Sequence, residues 1–191
     1  MKSSAYIIAS MTLIAALAGG LLAYWNKVTM PIIEENNRKE FQLALQKVLP
    51  QYTEIKELPS KNGIQFYEAW NNKTKVATAV TFIAKGFQSE IKVLYALSPD
   101  RSHILNLTIL EQMETPGLGT KIVEDKSKKD KPFWFTSQFS NVATSPAIEY
   151  LKNKIPQKDN QIQAITGATI SSKAIVNRLN ETLEQGLWQN H

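Results

Sequence analysis

Residues 5–25 read AYIIASMTLIAALAGGLLAYW, an apolar run that no charged residue interrupts. A helix of this length, rising about 1.5 Å per residue, spans roughly 30 Å, the thickness of bilayer hydrocarbon. Tyr6 stands near one end, Tyr24 and Trp25 at the other, where interfacial aromatics are favoured. Gly19 and Gly20 are tolerable in a membrane helix and allow close helix packing. Ala16-Leu17-Ala18 also fits a small-x-small cleavage site, but the apolar run continues past it to Trp25, which favours a retained anchor over residues 1–29. Residues 30–191 are then one ordinary domain, long enough to bury a core. Lys2 precedes the span and Lys27, Arg38 and Lys39 follow it, so the positive charges alone do not set its orientation.

Composition narrows the chemistry. There are no cysteines, which excludes a thiol nucleophile, a disulfide framework and Cys-ligated zinc or iron–sulfur centres. His103 and His191 are the only histidines: His191 ends the chain and His103 sits in a strand-like stretch, so no catalytic triad and no metal site is expected. The net charge of +5 is spread along the chain. Its one dense basic run, Lys126–Lys131, is broken by Ser127 and Asp130 and reads as a solvated loop, without the aromatic interleaving that nucleic-acid binding needs. No residue is assigned as catalytic, and any chemistry must come from a cofactor.

Beyond the span, Pro31–Leu49 predicts a juxtamembrane helix ended by Pro50. Period-two alternation follows. Ile64 and Phe66 open it, Val76, Thr78, Val80 and Phe82 share one face, and Ile91, Val93, Tyr95 and Leu97 share another. Pro99–Ser102 is a turn, after which Leu105, Leu107 and Ile109 continue the pattern. Residues 111–139 are irregular, with an aromatic cluster at Phe133-Trp134-Phe135. A short helix is expected over Pro146–Lys154 and a short strand over Ile162–Ile165. A final helix carries Ile170, Ala174, Ile175, Leu179, Leu183 and Leu187 on one stripe. Consecutive antiparallel strands flanked by helices make the fold class α+β.

Two segments are chemically distinctive. Thr166-Gly167-Ala168-Thr169 joins the last strand to the last helix. Gly167 and Ala168 leave little bulk around the Thr169 hydroxyl, and the helix start aims unpaired N–H groups and a positive dipole end at this turn, where a phosphate is stabilised. Taken alone, such a threonine is more often a helix N-cap. The second segment, Glu114-Thr115-Pro116-Gly117-Leu118-Gly119, has a proline that fixes one backbone angle and glycines that permit positive φ or close approach.

Together, and in this order behind one N-terminal span, ETPGLG and TGATISS resemble the FMN-binding domain of the G subunit of the Rnf ion-translocating oxidoreductase. The C subunit of the sodium-pumping NADH:quinone reductase is similar. Gly86-Phe87 followed by Glu90-Ile91-Lys92-Val93 resembles that family's glycine-containing strand. The resemblance implies FMN joined covalently by a flavin transferase, through its phosphate, to Thr169. It implies flavin contacts from Glu114, Thr115, Gly117 and Leu118, with Thr166, Gly167 and Ala168 framing the attachment site. It further implies partnership with the other Rnf-type membrane subunits in ferredoxin:NAD oxidoreduction coupled to Na⁺ or H⁺ movement, in the cell inner or plasma membrane, with the soluble domain extracytoplasmic. The pattern departs from the family at Gln163, where aspartate is usual, at Gln112, where histidine is frequent, and at Gln88-Ser89. Other readings are a stand-alone anchored flavoprotein, a quinone-reductase C-type subunit, or a non-redox anchored scaffold whose Thr169 merely caps a helix.

Overall fold

The computed structural model describes residues 2–184, with side chains from residue 5 onward. Leu187 and His191 lie outside the described residues. The chain divides into two compact units, residues up to Gln42 and residues from Leu43 onward.

The first unit is helical. α1 runs Lys2–Val48 without a break and contains Pro31. The apolar run and the expected juxtamembrane segment are therefore one helix rather than two. An interior proline forfeits one backbone hydrogen bond and crowds the preceding turn. The long helix-forming stretches on both sides carry the helix through that local defect. Among the described residues this is the one helix long and apolar enough to cross a membrane, its best 18-residue window having a mean hydropathy of 2.0.

The second unit is built on an antiparallel sheet of β1 (Glu54–Lys61), β2 (Ile64–Asn71), β3 (Thr74–Lys85), β4 (Glu90–Leu97), β5 (His103–Glu111) and β6 (Val142–Ala143), in that spatial order. The alternating residues do what their period predicts: Ile64, Phe66, Val80, Phe82, Ile91, Val93, Tyr95 and Leu97 all enter one core. The other face of the central strands, with Ala77, Ala79, Leu94 and Ala96, is buried as well. In β5 Leu107 enters the core as expected, but at the start of the strand the core residue is Ile104, not Leu105, because the pairing shifts register between Ala96 and Leu97. β1 is an edge strand whose Pro59 lies at an irregularity between Leu58 and Lys61, where no ladder donor is required.

Beyond β5 the chain forms a short 3-10 turn, Gly119–Ile122, and a single helical turn, α2 (Trp134–Ser137), whose Phe135 packs edge-on against Phe139 at 5.6 Å between ring centres. The basic loop is solvated as expected, and it is tethered by buried Asp125, which accepts from Ser127 and from the Trp134 indole at 3.1 Å. The expected helix over 146–154 is instead a strand, β7 (Glu149–Leu151), paired in parallel with β8 (Gln161–Gln163). Side chains explain the difference. Asn180 brackets Ile148 through both its N–H and its C=O, and Asn160 donates to the carbonyl of Ala147, so helical bonding there has lost its partners.

α3 (Thr169–Glu184) closes the core by packing on β3. Its buried stripe is Ser171, Ser172, Ile175, Val176, Leu179 and Thr182. Ile170 is 55% exposed, so the stripe is rotated from the one read off the apolar residues alone. Thr182 draws the helix down because its hydroxyl meets the Tyr95 hydroxyl at 2.8 Å in the core.

Candidate functional site

The two distinctive segments meet. α3 begins at Thr169, so the turn Thr166–Ala168 stands directly before it. Gly167 has φ +86, a conformation that favours glycine, and a Cβ placed there would lie 3.0 Å from Leu118 Cδ2. The missing side chain thus lets Leu118 of the ETPGLG loop lie against the turn. A second tie is polar: the Ser171 hydroxyl donates to Glu114 Oε2 at 2.6 Å.

Among the described residues, no side chain caps the start of α3. Its first N–H groups, from Thr169 to Ser171, lack intrahelical acceptors by geometry. Among the described residues no side chain accepts from them. The residue before the helix is Ala168, which has no acceptor to offer. Thr169 itself only reaches back to the carbonyl of Ile165 at 3.5 Å, the limit of a hydrogen bond, and its side chain is half-buried. The N-cap reading of Thr169 therefore fails on geometry. Neighbouring hydroxyls are committed elsewhere. Ser171 and Ser172 are 1% and 0% exposed, and Ser172 Oγ accepts from Ile165 N–H while donating to the carbonyl of Ala168. Thr166 is exposed and donates to Asn153 Oδ1 at 3.1 Å.

The ETPGLG loop presents two surfaces. Outward stand Pro116, Gly117 and Leu118, the last 47% exposed. Gly117 has φ +74 with open space around it, so it serves the turn, whereas Gly119 has no such φ and serves close packing. Thr115 donates to Gln88 Oε1 at 3.0 Å. Gln112, where a histidine is common in the resembling family, accepts from the Glu114 N–H at 2.7 Å and so sets the entry to the loop. Gln163 lies on β8, where its backbone is bracketed by the Gln138 amide.

Glu114 points inward. It is 3% exposed, and its carboxylate accepts from the N–H groups of Phe87, Gln88 and Ser89 and from the hydroxyls of Ser89 and Ser171. Burial pushes its carboxyl upward, but these hydrogen bonds, Ser171 foremost, outweigh it and hold the group below the usual carboxylate range. Ser171, Ser89 and Gly86 belong to this arrangement, yet no local spacing in the sequence pairs them with Glu114.

An uncapped helix start beside a half-buried hydroxyl suits a phosphate ester, and the exposed apolar edge of Leu118 suits a flat ring alongside it. Residues 86–184 match the FMN-binding domain family, the class that this sheet and these paired loops define. The chain belongs to the family of G subunits of ion-translocating oxidoreductase complexes. It is 31% identical to the G subunit of the Na⁺-translocating ferredoxin:NAD⁺ oxidoreductase complex of Acetobacterium woodii, over 93% of this chain and 87% of that one. It is 28% identical to the proton-translocating counterpart of Clostridium ljungdahlii, over 94% and 89%. The fold is shared with the C subunit of the Na⁺-translocating NADH-quinone reductase of Parabacteroides distasonis, with a TM-score of 0.55 at 16% identity, over 82% of this chain and 94% of that one.

Proposed function

We propose that the chain is the electron-carrier subunit of an ion-translocating ferredoxin:NAD oxidoreductase complex and carries FMN as a phosphoester on Thr169. The observation that carries this reading is the uncapped start of α3 at Thr169, held against the ETPGLG loop through Gly167 and Leu118. The names of the relatives support the complex and its partners, the other membrane subunits.

FMN held there supplies reversible uptake and release of electrons. The chain's own residues bind and orient. The α3 amides would hold the phosphate diester, whose one negative charge would be stabilised at the positive end of the helix. Thr115, Gly117 and Leu118 would border the ring, and Thr166, Gly167 and Ala168 would frame the approach to Thr169. Attachment needs a flavin transferase and an activated flavin pyrophosphate. With such a donor the Thr169 hydroxyl would take up the flavin-side phosphoryl group, giving its proton to base, and the other phosphate half would leave. The subunit is a redox relay and is not a catalyst alone.

Residues 1–29 are the membrane anchor in this reading and residues 30–191 the FMN-bearing domain outside the cytoplasm, where a covalent link prevents loss of the carrier. To test the attachment, the full chain is co-expressed with the transferase and run on a denaturing gel under ultraviolet light. The fluorescent band is expected in wild type, weaker in Thr169→Ser and absent in Thr169→Ala. A band that persists in Thr169→Ala refutes the reading.

A further inference from the structure

Glu114 is the one charged residue of the ETPGLG loop, yet it is turned away from solvent. Two glycines make room for it. A Cβ on Gly119 would lie 2.6 Å from Glu114 Cβ and 2.9 Å from Glu114 Oε2. A Cβ on Gly86 would strike Glu114 Oε1, and would lie 2.8 Å from both Ile91 Cδ1 and the carbonyl of Ser89. Neither glycine has a positive φ, so the absent side chain is what the site uses. Within this cradle the carboxylate joins three pieces of chain that are remote in sequence. Oε1 takes the N–H groups of Gln88 (3.0 Å) and Ser89 (2.9 Å), on the link between β3 and β4. Oε2 takes the Ser171 hydroxyl (2.6 Å), two residues into α3. The loop itself supplies the glutamate.

We propose that Glu114 is a positioning residue rather than a flavin contact: through Ser171 it fixes the first turn of α3 against the ETPGLG loop and so sets where the Thr169 hydroxyl stands for flavin attachment. This rests on the reading of Thr169 as the flavin-bearing residue. Ser171 is the discriminating side chain. Its hydroxyl donates to Glu114 and to no other group among the described residues, so Ser171→Ala cuts the tie to α3 and leaves the clamp on Phe87–Ser89 in place.

The test is a kinetic one, on the full chain in detergent with purified flavin transferase and FAD as the flavin pyrophosphate. Ser171→Ala and Glu114→Ala are each expected to lower kcat for flavin loading by at least about tenfold, with KM for the acceptor chain little changed, since misplacing a reacting atom by about 1 Å costs up to about a hundredfold. Glu114→Gln is expected to recover most of the rate, because the amide oxygen accepts from Gln88 and Ser89 while its NH₂ donates to Ser171 Oγ, only the longer bond from Phe87 N–H being lost. Combining Ser171→Ala with Glu114→Ala should slow loading no further than Glu114→Ala alone, as Glu114→Ala already removes the tie to Ser171. Loading of Ser171→Ala at the wild-type rate overturns the proposal, even where Glu114→Ala fails to fold. Thr169→Ala is run in parallel: loading that survives in it refutes the attachment reading itself, a different outcome from wild-type loading in Ser171→Ala.

Discussion

The buried pair Tyr95–Thr182 is where the domain's stability can be predicted from proton bookkeeping. Both residues are fully buried, and their hydroxyl oxygens are 2.8 Å apart. Thr182 Oγ1 also donates to the carbonyl of Leu179 at 2.6 Å. A threonine has one proton to give, so Tyr95 is the donor of the pair and Thr182 the acceptor. The two deletions then differ. Tyr95→Phe removes a donor and leaves Thr182 bonded to Leu179, at a cost of about 0.5–1.5 kcal/mol. Thr182→Val keeps the size of the side chain but strands the Tyr95 hydroxyl in the core, at about 1–3 kcal/mol. The double variant strands nothing, so it should be more stable than the sum of the two single effects by about 1 kcal/mol or more. Roughly 2–4 °C accompanies each kcal/mol in a domain of about this size. Thermal unfolding of the full chain in detergent, followed by near-ultraviolet circular dichroism, should therefore place Thr182→Val several degrees below Tyr95→Phe. Equal single effects, or effects that simply add, would refute the assignment of donor and acceptor.

Gly119→Ala should destabilise by about 1–3 kcal/mol through overpacking against Glu114. Gly117→Ala, with open space but φ +74, should cost about 1–2 kcal/mol through its backbone alone, and unfolding midpoints in denaturant separate the two. Glu114 has a depressed carboxyl in the folded state, so its contribution is complete above the ordinary carboxylate range and is lost as pH falls through the lower, folded value. Wild type should lose stability across that acid window more steeply than Glu114→Gln, which pH-dependent melting reads directly. The soluble domain is expected to react with a membrane-impermeant amine label in intact cells; reaction of its lysines only in broken cells would reverse the topology.

The parts of this fold that are legible in the sequence are those in which side-chain period and burial coincide. β2, β3 and β4 are such elements: their apolar residues alternate and every one named from Ile64 to Leu97 except Val76 is fully or almost fully buried. Legibility fails where distant groups decide. Residues 146–151 have helix-compatible residues, but Asn160 and Asn180 take their backbone groups from elsewhere in the chain. β1 is mostly exposed and carries Pro59, so it shows neither alternation nor strand chemistry. Hydropathy misplaces the α3 stripe at Ile170 because Ser171 and Ser172 are buried for their hydrogen bonds, which it does not register. At the site, the nearness of ETPGLG to TGAT is readable as a family resemblance. The inward turn of Glu114 is not, since it depends on Gly86 and Ser89 some 25 residues earlier and on Ser171 57 residues later.

On the proposed reading the chain carries one FMN, through its phosphate, on Thr169. Peptide mapping by tandem mass spectrometry tests it most directly. The full chain is purified after co-expression with the flavin transferase, denatured and digested. One modified peptide containing residues 166–172 is expected, heavier by one FMN less one water, with fragment ions that place the addition on Thr169. An addition on Thr166 or on a residue outside this turn would contradict the claim, as would flavin that is wholly released on denaturation.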